Sequence, residues 1–87
     1  MKQVIWKFIL KIQEEQEIYL PENSMFLTTR EQYDNVCIWY KVCPDNILMK
    51  KLILIYGTGK SFDNINGKYL GSALLLNGDL VLHVFEK

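Results

Sequence analysis

Residues 49–87 read MKKLILIYGTGKSFDNINGKYLGSALLLNGDLVLHVFEK, and the punctuation of this stretch decides the fold. Three apolar runs are separated by two breaks rich in Gly and Asn. The second break, Asn77-Gly78, lies between the runs 68–76 and 79–85. Asn-Gly supplies positive φ at both central positions of a type I′ turn, so it predicts a β-hairpin. The first break, 57–67, is read as a long Gly-rich hairpin loop when its glycines serve only to turn the chain. The run before it, 48–56, fits helix or strand by periodicity alone. Its β-branched content, its length and the following Gly pair favour strand.

Working back from there, the same period of two recurs. Val36, Ile38, Tyr40 and Val42 alternate with Cys37, Trp39, Lys41 and Cys43, and Cys43-Pro44-Asp45-Asn46 closes that strand. Tyr33-Asp34-Asn35 joins it to an extended run over 25–32 as a second hairpin. Residues 17–20 form a short strand stopped by Pro21-Glu22-Asn23-Ser24, and 13–16 read as a polar turn. At the start, Val4, Trp6, Phe8, Leu10 and Ile12 share one side of a strand over 4–12. The expectation is an all-β domain spanning 1–87, a small antiparallel sandwich or open barrel of about seven short strands. Several strands are apolar on both faces: Val81, His83 and Phe85 oppose Leu80, Leu82 and Val84. So small a domain covers few strands twice, so a homo-oligomer is expected.

The chain has 87 residues, 49% of them hydrophobic, which suits a single domain with a modest core. Ten basic and ten acidic residues cancel, which counts against a protein built on duplex phosphate contacts. No apolar run approaches the roughly 20 residues of a membrane-spanning helix, and no signal-peptide cleavage pattern follows the N-terminal run. A cytoplasmic protein without membrane attachment is expected. Two cysteines, Cys37 and Cys43, are too few for a disulfide framework, and along one strand they would lie roughly 20 Å apart. Free thiols are the reading that follows.

The only dense group of ligand-binding residue types is Tyr56-Gly57-Thr58-Gly59-Lys60-Ser61. It resembles the tail of a P-loop, but Leu54 occupies the place of the required first glycine and no helix follows, so an NTPase is excluded. A weaker anion site survives. Gly57 and Gly59 let successive N–H groups face a concavity, Lys60 adds charge, and Thr58 and Ser61 add hydroxyls. Tyr56, Tyr69 and Trp39, the last expected on a neighbouring strand, could stack on a base or ring. The lone histidine, His83, sits mid-strand, where a half-buried structural role is the commoner one, and with two cysteines it matches no zinc pattern. No cofactor, no metal and no catalytic constellation are expected.

The segments Trp6-Lys7-Phe8, Gly57-Thr58-Gly59 and His83-Val84-Phe85-Glu86, with Cys37-Ile38-Trp39 and Tyr69-Leu70-Gly71-Ser72 between them, resemble one family. It consists of short proteins of tailed bacteriophages and prophages, largely uncharacterised. The resemblance runs nearly the whole chain, with one departure: Lys60 stands where that family is expected to carry histidine after GTG. It implies a phage protein made in the host bacterial cytoplasm. By analogy of class alone, it suggests an anti-defence protein that sequesters a nucleotide immune signal without cleaving it. The competing expectations are a protein-interaction module that inhibits a host protein, and a phage structural or assembly protein.

Overall fold

A computed structural model describes residues 2–63 and 67–87. Seven strands form two antiparallel sheets: β1 (Val4–Leu10), β2 (Glu15–Pro21), β3 (Met25–Gln32), β4 (Asn35–Val42), β5 (Leu48–Gly57), β6 (Lys68–Leu75) and β7 (Leu80–Glu86). One sheet has the order β1-β4-β3 and the other β2-β5-β7-β6. They face each other as a sandwich and do not close into a barrel, so the expected all-β class holds.

Period-two patterning places the core. Val36, Ile38, Tyr40 and Val42 of β4 point inward, against Ile53 and Ile55 of β5 and Leu82 and Val84 of β7, and all eight are buried. Trp6, Phe8 and Phe26 pack at the margin, with the Phe26 and Tyr40 rings edge-to-face at 5.5 Å. Such rings remove large apolar areas from water, which a domain this small needs. Cys37, on the outward row of β4, is also buried, and burial raises its thiol pKa. Both cysteines are free.

One side of the sandwich is stitched shut. β3 and β6 each carry a register shift, between Phe26 and Thr28 and between Tyr69 and Gly71. There the Thr29 hydroxyl donates to the Leu70 carbonyl at 2.8 Å. Gly71 takes φ +113° at this shift, a backbone conformation that L side chains rarely adopt.

The hairpins follow the turn chemistry. Tyr33 and Asp34 take φ of 52° and 63° inside the Gln32–Asn35 pair, a two-residue connection. Asn77 (φ 56°, ψ 32°) and Gly78 (φ 91°) make the I′ turn, with the Asp79 N–H donating to the Leu76 carbonyl at 3.1 Å. The ladder ends one pair further out, at Leu75–Leu80, leaving Leu76 at an unusual φ of 52°. The Leu76 N–H donates to the Asp34 carboxylate at 2.8 Å, which ties the two hairpin tips together.

Three expectations are corrected. The first strand stops at Leu10, because Lys11 turns away with its N–H donating to the Gln16 side chain at 3.0 Å. Glu15 and Gln16 belong to β2, not to a turn. The largest change concerns 57–67. β7 lies between β5 and β6, so β5 and β6 are parallel and their connection is a crossover, not a hairpin loop. Gly57 pairs with Leu82, whereas Lys68 pairs with Glu86 at the other end of β7, so the connection returns along the sheet. Residues 64–66 of it lie outside the described residues.

Candidate functional site

The crossover explains what the Gly-rich segment does. The Phe62 ring stacks on Tyr56 at 4.3 Å and 19°, and both approach Phe85, at 6.2 Å in each case. Tyr69 lies 5.2 Å from Phe85. A small aromatic layer thus covers part of the outer face of the four-stranded sheet, where Phe85 would otherwise meet water. Phe62 is the contributor that the sequence reading missed; an aromatic residue inside a polar loop was the signal.

All the predicted site residues except Trp39 lie in this layer or near it. Thr58 donates its N–H to the Val81 carbonyl at 3.3 Å, and the Lys60 N–H reaches the Gly57 carbonyl at 3.2 Å. Gly59, at φ 85°, completes that turn. Two of the amides that an anion would need are therefore already used within the chain. Lys60 Nζ lies 3.7 Å from Glu14 Oε1. Ser61 borders a hollow of about 510 Å³ shared with Glu14, Glu15, Asp63 and Lys87, a setting rich in carboxylates. The Tyr56 ring has one face taken by Phe62. Trp39 is not on a neighbouring strand: it sits in the other sheet, paired with Lys7 and Thr28 on that sheet's outward row. The segment 56–61 and Tyr69 come together, and Trp39 stays apart from them.

His83 is the hub of the hydroxyls here. Thr58 Oγ1 lies 2.7 Å from its Nε2 and Tyr69 Oη 3.4 Å from its Nδ1, so both ring nitrogens are engaged. Among the described residues no three His, Cys, Asp or Glu side chains gather to hold a metal ion. Among the described residues no helix is long and apolar enough to cross a membrane.

A second concavity, which the sequence did not reveal, opens at one end of the sandwich. It encloses about 630 Å³ between the turn 22–24, the start of β5 and the first residue of β6. Leu20, Phe26, Tyr40 and Met49 give it apolar walls, and Lys51 and Lys68 bring positive charge. Glu86 anchors it. It accepts the Tyr40 hydroxyl at 2.9 Å, its other oxygen lies 3.6 Å from Lys51 Nζ, and Lys68 is its ladder partner. Burial first, and then the hydrogen bond to Glu86, push the Tyr40 phenol well above its ordinary range. The phenol therefore stays protonated as a donor. Lys51 and Lys68 face two carboxylates, Glu22 and Glu86, around this cleft, while the Lys50 ammonium lies beside Glu17.

The fold and this cleft define a small β-sandwich with an amphipathic, lysine-edged concavity. The chain belongs to the family described as a domain of unknown function, DUF7352, which matches it over residues 1–87. No curated protein and no solved structure matches it.

Proposed function

We propose that this chain is a non-enzymatic binding protein whose ligand is a small anion with an aromatic or apolar body, of the nucleotide class. The site is the 630 Å³ cleft, not the Gly57–Ser61 segment. One observation carries the reading: Lys51 and Lys68 flank Glu86 beneath the Phe26 and Tyr40 rings, in a hollow of small-ligand size. Lysine offers point charges to a phosphate or carboxylate, and the ring edges and Met49 offer an apolar bed. In the phage setting that the resemblance implies, such a protein would sequester a nucleotide immune signal inside the host cytoplasm.

The test is thermal stability against linear and cyclic nucleotides, with each ligand afterwards recovered and analysed. Binding at 100 times the dissociation constant stabilises by about 2.7 kcal/mol, which moves the melting temperature visibly in so small a domain. A shift with intact ligand supports sequestration; converted ligand would make the protein an enzyme; no shift across the panel removes the reading.

A second reading, a module that inhibits a host protein or serves phage assembly, is favoured by the rim of the same cleft. Ile47, Leu48, Met49 and Met25 are 74%, 55%, 47% and 56% exposed, a flexible apolar surface of the kind that docks partners. Retention of a host protein that is lost on Met25→Glu would favour it.

A further inference from the structure

The four outer strands of the two sheets are finished in different ways. β3 and β6 are bulged and bonded to each other through Thr29 and Leu70. β1 and β2, at the opposite ends of their sheets, keep an unbroken register with their inner neighbours and, among the described residues, have no strand beyond them. An unbulged outer strand presents unpaired N–H and C=O groups to any strand of fitting pattern. Exposed apolar side chains gather on this open side: Ile5, Ile9, Ile12 and Tyr19 are each more than half exposed.

Direction and charge decide what fits there. Thr29, beside Ile38, touches Gly71, beside Val84, and Tyr40 meets Glu86, so β4 and β7 run the same way. β1 is antiparallel to β4, and β2 runs with β7, so β1 and β2 run oppositely. A two-fold axis along the strands brings β1 of one copy beside β2 of the other, antiparallel, and repeats the contact at the second seam. Outward rows then meet outward rows: Ile5, Lys7 and Ile9 on one side, Glu15, Glu17 and Tyr19 on the other. Pairing β1 with its own copy about Lys7 would instead set two lysines face to face.

We propose that two copies of this chain pair β1 against β2 at both open edges, making a closed two-fold dimer in which each three-stranded sheet continues into its partner's four-stranded sheet. The pairing removes both free edges at once, and its isologous geometry stops growth at two copies. Lys7 now donates to Gln32 at 2.6 Å and Glu17 lies 3.8 Å from Lys50, both exposed contacts that are weak enough to be exchanged.

Light scattering coupled to size exclusion tests this at about 100 µM, where even a dimer of micromolar affinity is populated. The wild-type chain should show twice its 10.3 kDa mass. Lys7→Glu, which sets carboxylates against Glu15 and Glu17, should weaken the dimer at least ~10-fold. Adding Glu15→Lys and Glu17→Lys to that variant should restore it, with circular dichroism checking that each variant keeps its sheet content. A wild-type monomer, a dimer indifferent to Lys7→Glu, or a folded triple variant that stays monomeric would each overturn the proposal.

Discussion

The Tyr40 hydroxyl donates to Glu86 Oε1 at 2.9 Å, joining the middle strand of one sheet to β7, an inner strand of the other. Apart from the Thr29–Leu70 bond at the stitched side and the Leu76–Asp34 bond at the hairpin tips, the contacts between the sheets are mainly apolar packing, so this bond fixes their relative register at the cleft. Tyr40→Phe keeps the ring packing and removes only the donor. It should cost about 1.5–3 kcal/mol, the range for a hydrogen bond to a charged acceptor. Urea denaturation reads it directly; a variant as stable as the wild type would mean that Lys51 alone satisfies Glu86.

The same bond predicts an alkaline limit. The folded phenol titrates well above its unfolded value, because of burial first and then Glu86. A raised pKa stabilises the fold fully below the unfolded value, near ~10, and that stabilisation fades as pH climbs towards the folded value. The melting temperature should therefore fall from about pH 10 upward. Tyr40→Phe should flatten part of that fall relative to wild type, and equal slopes in the two proteins would contradict the assignment.

Gly71 is the residue on which the stitched side depends. Its φ of +113° is strained for any L side chain, even though a Cβ there would meet Thr29 at an ordinary contact distance of 3.5 Å. Gly71→Ala should destabilise by roughly 1–3 kcal/mol. Gly57, with ordinary φ and open space around it, should accept alanine with little loss. Equal melting temperatures for the two variants would show that the bulge relaxes freely.

The sheet architecture was legible because alternation is local: every strand from β3 to β7 falls within a residue or two of where its apolar period placed it. The turns were legible for the same reason, since Asn77-Gly78 and Tyr33-Asp34 carry their geometry in two residues. Strand order was not, because nothing in the Gly57–Gly67 segment distinguishes a hairpin from a crossover. That difference lies in β7 pairing between β5 and β6, a long-range choice. The loop therefore looked like a ligand nest, while its amides and its neighbour Tyr56 serve the chain itself. The cleft was invisible for a related reason: Lys51, Lys68, Tyr40 and Glu86 come from four strands and two sheets.

That contrast separates the two candidate sites by mutation. Lys60 is held beside Glu14 on a carboxylate-rich flank, so Lys60→Ala should leave anion binding within about two-fold of wild type, as expected for an exposed pair of small energetic weight. Lys68 lies at the cleft beside Glu86, and Lys68→Ala should weaken binding by about ten-fold, the equivalent of ~1.4 kcal/mol. Lys51 is a poorer probe, because its loss also leaves the partly buried Glu86 without its ion-pair partner. Calorimetric titration of both variants with whichever nucleotide stabilises the wild type decides the matter. Loss of binding in Lys60→Ala with Lys68→Ala unaffected would return the site to the Gly-rich segment, and the cleft would then be a structural opening between the sheets.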